Sequence, residues 1–185
     1  ISKKVHSSYL LKAQKGQFTG CLAPFGYRKD PEDKNHLLID EETAPIVRRL
    51  FAWALEGHGP NYIRRRLEEE KIPCPTYWNR VRGFRNVSTK WEKKDPVNGR
   101  YMWDFSVIKD ILMNPVYTGA IASQKKEYRF KIGTIGEKKP EEWIVVENQH
   151  EPLVDRKTFD IVQRKLKSRQ RPRQTGEISL FAGLI

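Results

Sequence analysis

The chain has 185 residues, 38 % of them hydrophobic, including five Trp and eight Phe, which supports a modest core in one domain or two small ones and argues against wholesale disorder. Lys and Arg number 35 against 23 Asp and Glu, a formal net charge of +12, so a polyanionic partner is favoured: DNA, RNA or an anionic membrane surface. No apolar run approaches the length of a membrane span, and the opening Ile1-Ser2-Lys3-Lys4 lacks the apolar stretch of a signal peptide.

The first residue is not Met, so the chain reads as a piece of something longer. Residues 1–16 look like the tail of a helix, with Val5, Tyr9, Leu10 and Ala13 at three- and four-residue spacing and Gly16 as its stop. Lys12 and Lys15 lie around that stripe. From Gly20 to Pro31, Pro24 and Gly26 dictate turns and Phe25 and Tyr27 anchor them. With the apolar run Leu37, Leu38, Ile39, this predicts a small hairpin, on which Arg28 sits.

Asp40 to Pro45 is a helix start, with Thr43 as the expected cap and Pro45 in the first turn, where its missing N–H costs nothing. Ala44, Val47, Leu50, Phe51, Ala54 and Leu55 make a broad apolar stripe, and Gly57 ends it. Gly59-Pro60 opens a second helix with Tyr62, Ile63 and Leu67 inside. Arg64, Arg65 and Arg66 lie four residues before Glu68, Glu69 and Glu70, a weak surface pairing. The two helices are either a helix-turn-helix or a plain antiparallel pair.

After an extended Ile72 to Pro75, the composition shifts. Arg80, Arg82, Arg85, Lys90, Lys93, Lys94 and Arg100 face only Glu92 and Asp95, with Trp78, Phe84, Trp91 and Tyr101 interleaved. This mixture suits phosphate contact with stacking, or else a solvated loop. Trp103 to Gly119 then carries both helix signals. Asp104 can cap the first turn, and Phe105, Ile108, Ile111 and Leu112 share a face. Asn114 is a plausible left-handed end and Pro115 cannot continue the helix. Ser106, Lys109 and Asp110 lie opposite. The element is either a core helix or a helix docked on nucleic acid.

Ala120 to Ile132 predicts a hairpin crowded by Lys125, Lys126, Arg129 and Lys131. Glu142 to Glu147 is the clearest strand, rich in β-branched residues. Asp155 caps a last helix bearing Phe159, Val162 and Leu166. Beyond it the chain turns basic and loses apolar period, then ends on the apolar Ser179 to Ile185. The fold class expected is α+β: a mostly helical compact domain with small antiparallel β elements.

No chemistry is legible. Ser7 and Ser8 have no base at readable spacing, and no Walker-type phosphate loop or paired carboxylates stand out. Cys21 and Cys74 form no CxxC pair and read as free thiols of a reducing compartment. His6, His36, His58 and His150 have no metal-ligand spacing, so neither metal nor cofactor is expected.

In order, Ala23 to Pro31, Leu38 to Asp40, Ala44, Ile46-Val47, Leu50-Phe51, Gly57, Ile63, Leu67 and Ile72-Pro73 resemble the opening of the recombinase domain of large serine recombinases. Trp103, Ile108, Ile111-Leu112, Asn114-Pro115, Tyr117 and Gly119 resemble its second signature. Pro152 to Asp155, Phe159 and Val162 resemble its third. The likeness covers roughly residues 16 to 168, and Pro45 and the long 78–103 insertion depart from it. It implies that residues 1–15 end the helix from an absent upstream catalytic domain, that 16–168 bind DNA, and that 169–185 are a basic linker toward an absent zinc ribbon. It implies double-stranded DNA as partner, other recombinase subunits through the absent domains, and a cytoplasmic, nucleoid-associated prokaryotic setting. The chain by itself would not be an enzyme.

On that basis the expected DNA contacts are Lys12 and Lys15 on the first helix, Arg28 on the hairpin and Arg64 on the third apolar-striped element. Arg80, Arg82, Arg85 and Lys90 would serve on the basic loop, Lys109 on the short helix, and Lys125, Lys126, Arg129 and Lys131 on the β segment. The composition also admits a module for RNA or unpaired strands, whose aromatics would stack on bases, or a protein-interaction scaffold with a basic surface.

Overall fold

Two tyrosines and two phenylalanines hold the centre of this protein. In the computed structural model, which describes residues 2–84, 95, 97–129 and 133–168, the Tyr117 ring stacks on Tyr27 at 6.0 Å and meets Phe51 edge-on at 5.7 Å. Phe51 in turn contacts Phe159 at 6.1 Å. Both phenols are satisfied despite burial. Tyr117 Oη donates to the Phe25 carbonyl at 2.9 Å, while Tyr27 Oη donates to Glu151 O and accepts from the Leu153 N–H. Burial raises both phenol pKa values, so neither ionises.

The elements run α1 Ser2–Gln14, β1 Tyr27–Lys29, β2 Leu37–Ile39, α2 Ala44–Leu55, α3 Pro60–Glu69, α4 Pro75–Val81, α5 Phe105–Met113, β3 Ile121–Ser123, β4 Lys126–Arg129, β5 Gly133–Glu137, β6 Ile144–Val146 and α6 Arg156–Ser168. Short 3-10 turns cover Gly99–Tyr101, Pro115–Thr118 and Pro140–Glu142. The architecture is α+β and mostly helical, with three two-stranded antiparallel sheets among the described residues: β1–β2, β3–β6 and β4–β5. No helix among the described residues is long and apolar enough to cross a membrane.

Helix α2 is the floor of the core. Ala44, Val47, Leu50, Phe51, Trp53 and Ala54 are all buried, packed against α3, α5 and α6. Helix α5 is a core helix, because Ile108, Ile111 and Leu112 are buried and it packs against α2, α3 and α6. Its first apolar residue, Phe105, stays 42 % exposed. Asp104 caps α5 as expected, accepting the Ser106 N–H at 2.9 Å, and Asp155 does the same for Thr158 in α6.

Several local expectations are corrected. Thr43 does occupy the N-cap of α2, with Pro45 in the first turn, but its side chain makes no capping hydrogen bond. Its hydroxyl turns inward to donate to Asp40 and accept the Gly26 N–H. Asn114 is extended at φ −87, not left-handed, and its side chain accepts from Val116 N to start the next turn. Gly119, at φ +84, supplies the left-handed residue instead. The hairpin is β4–β5, later than the 120–132 span, because β3 leaves to pair with β6 in the register Ile121↔Val146. Finally, Pro75–Val81 is helical, so the basic loop begins with a short helix that carries Arg80. Cys21 and Cys74 are both free thiols.

Candidate nucleic-acid interface

The positive side chains divide into those neutralised within the fold and those left to solvent. On α3, Arg64 binds Glu68 at 3.0 Å and Arg66 binds Glu70 at 3.1 Å. Arg49 of α2 also binds Glu70, and Arg49 and Arg66 both lie over the Trp53 ring, at 4.7 and 5.2 Å. At the end of α4, Arg82 reaches Asp40 at 2.6 Å and Glu42 at 2.8 Å and covers the Trp78 ring at 5.3 Å. Arg156 spans Glu147 and Asp160 at 3.1 and 3.3 Å.

Lys125 is a structural tie of another kind. Its ammonium donates to Asn114 Oδ1 at 3.1 Å and lies 5.0 Å from the Trp143 ring centre. Burial lowers its pKa, outweighing the opposing pull of the Asp110 charge. The lysine thereby fastens the base of the β4–β5 hairpin to the end of α5.

Lys15, Arg28 and Lys126 are exposed, and Lys12 and Lys109 half-buried. Among the described residues none of these five has an acidic partner within salt-bridge distance. Arg80 is exposed on α4, and Arg129 stands on β4 opposite Gly133. Arg85, Lys90 and Lys131 lie outside the described residues. The expected contacts thus reach α1, β1, α3, α4, α5 and the β4–β5 hairpin, and Arg64, Arg82 and Lys125 already have partners in the free chain.

Lys157, Arg164 and Lys167 are also exposed, on α6, whose buried face is carried by Phe159 and Val162. Helix α5, in contrast, has its apolar face occupied by the core. Its open side offers Phe105, Ser106, Asp110 and Met113 with the half-buried Lys109, so it has little positive charge to bring to a groove.

The Recombinase family profile matches residues 41–169. A curated relative, the uncharacterized protein YefB of Bacillus subtilis (strain 168), is 37 % identical over 86 residues, which is 45 % of this chain and 28 % of that protein. Two solved structures share the fold. One is a crystal structure of an LSR–DNA complex, with TM-score 0.54 and 16 % identity, covering 89 % of this chain and 38 % of the other. The second comes from a study of the sequence requirements of the Listeria innocua prophage attP site, with TM-score 0.55 and 17 % identity, covering 89 % of this chain and 51 % of that one. This chain therefore spans from about a quarter to half the length of these proteins. Because the family match covers residues 41–169, well over half of the chain and every helix from α2 to α6, this chain belongs to the recombinase family.

Proposed function

We propose that this chain is the DNA-binding module of a site-specific serine recombinase and that it binds one half of a recombination site as duplex DNA. The observation that carries the reading is the fold, shared across 89 % of the chain with a large serine recombinase solved on DNA. Unpartnered cations at Lys15, Arg28 and Lys126 support it, since phosphate contacts position a protein on the duplex. In this reading residues 1–15 belong to a linking helix from an upstream catalytic domain, and 16–168 are the binding module. Residues 169–185 lead toward a further domain. The module holds DNA and leaves strand cleavage to a serine elsewhere in the full protein.

Fluorescence anisotropy with labelled duplexes tests this. Duplex carrying the ends of the host element should bind more tightly than unrelated duplex, with affinity falling steeply as KCl rises. The chain should not nick supercoiled plasmid bearing those ends. Tighter binding to the single strand or to RNA of the same sequence would favour a stacking module instead. No salt-dependent binding at all would favour a scaffold.

A further inference from the structure

Among the described residues, two buried donors have no acceptor. Trp78 Nε1 and Arg100 Nε are both shielded from solvent and neither has a hydrogen-bond partner. They belong to adjoining segments. The Cys74 N–H, at the head of α4, donates to the Arg100 carbonyl at 2.8 Å, and Trp78 lies one turn further along α4, its N–H reaching Cys74 O. Indole and guanidinium nitrogens can only donate. A donor buried without an acceptor is destabilising, so two of them in one seam call for an explanation.

Three arginines border the seam, one of which, Arg82, is already paired with Asp40 and Glu42. Arg82 covers the Trp78 ring, the Arg100 guanidinium lies 4.9 Å from the Tyr101 ring centre, and Arg80 is exposed on the same helix. Helix α4 is also weakly anchored. None of its seven residues is fully buried, and its ties include the Cys74–Arg100 hydrogen bond and the Arg82 ion pairs. Few buried contacts mark a segment that opens at low cost.

We infer that the seam between α4 and the Gly99–Tyr101 turn takes a phosphate oxygen of duplex DNA. Helix α4 lifts locally, and the Trp78 indole N–H and Arg100 Nε–H donate to that oxygen. The inference rests on the DNA-binding reading above and adds a contact that charge counting could not find, because an indole carries no charge. A phosphate oxygen has lone pairs for both donors, and the charge of the Arg100 guanidinium favours the anion.

Trp78→Phe keeps the ring and removes only the N–H, and in isotope-labelled protein it assigns the Trp78 indole resonance by its disappearance. On titration of the wild-type chain with mixed-sequence duplex, that resonance should move downfield and exchange more slowly with water. Trp78→Phe should weaken duplex binding about tenfold with no change in salt slope, and Arg100→Lys should weaken it by a similar factor. If Trp78→Phe also lowers the denaturation midpoint, the wild-type resonance decides. A Trp78 signal that stays put at saturating duplex overturns the seam assignment while leaving DNA binding intact. An equal shift with inorganic phosphate at matched phosphate concentration overturns the assignment to DNA. If the wild-type chain binds no duplex, the functional reading falls and takes this inference with it.

Discussion

Arg82 Nη1 lies 2.6 Å from Asp40 Oδ2, and this pair fastens the end of α4 to the start of α2. The two sides are unequal. The Asp40 side chain is 7 % exposed and the Arg82 side chain 29 %, and Asp40 also receives the Thr43 hydroxyl. Arg82→Ala should therefore strand a buried carboxylate and cost about 1–3 kcal/mol, read as a lower urea midpoint. Glu42→Ala removes only the exposed arm of the same clamp and should cost about 0–1 kcal/mol. Equal effects of the two substitutions would show that burial of Asp40 is not what matters.

The glycines separate backbone strain from collision. Gly57 and Gly119 both have positive φ, +100 and +84. A Cβ at Gly57 would meet nothing within 4 Å, whereas one at Gly119 would stand 2.8 Å from the His150 carbonyl oxygen. Gly57→Ala should cost about 1 kcal/mol, from strain alone. Gly119→Ala should cost clearly more, because the obstacle is backbone and cannot rotate away. Chemical denaturation of both variants gives the order, and the reverse order would contradict the packing described at the β3–β6 end.

Much of the fold was legible where the signal is local. The α2 stripe, Gly59-Pro60 at the head of α3 and Asp104 at the head of α5 each carry their own start and stop chemistry. The β1–β2 hairpin is set by Pro24, Gly26 and the Leu37–Ile39 run. What escaped was non-local or unpatterned. The β3–β6 pairing joins strands separated by a whole hairpin, so Ala120 onward read as a hairpin by itself. Helix α4 buries no residue fully and so shows no apolar period to find. For the candidate contacts, counting cations marks elements that carry positive charge. It could not tell Arg64 and Arg82, which have acidic partners, from Arg28 and Lys126, which lack them, because partnership is set by tertiary neighbours.

His150 makes stability depend on pH. Its Nε2 bonds the Val116 carbonyl at 2.7 Å, its ring stands edge-on to Tyr27, and burial lowers its pKa below the ordinary 6.5. A depressed folded-state pKa means that the unfolded chain takes the proton first. The His150 contribution is therefore complete above pH 6.5 and is lost as the pH falls below it toward the folded-state value. Asp104 and Asp155 also have lowered values, but their contributions persist until the pH nears 3.8. Urea midpoints should thus fall between about pH 7 and pH 5. His150→Gln, which retains a donor for Val116, should flatten that slope. An unchanged slope in the variant would assign the effect elsewhere.

Partnered and unpartnered cations should also differ when DNA is bound. Lys126 is exposed on β4 without an acidic partner, and Arg28 stands likewise on β1. If they meet phosphates, each releases about one counterion, so Lys126→Ala or Arg28→Ala should reduce the slope of log affinity against log salt by about one unit. Sequence preference should hardly change, because phosphates carry no base identity. Arg64 is held by Glu68, and a phosphate would have to compete with that carboxylate. Arg64→Ala should leave the slope within about half a unit of the wild type. KCl titrations of the three variants on one duplex make the comparison. A full unit lost at Arg64, with none lost at Lys126 and Arg28, would place the interface on the α3 side of the molecule and away from β1 and the β4–β5 hairpin.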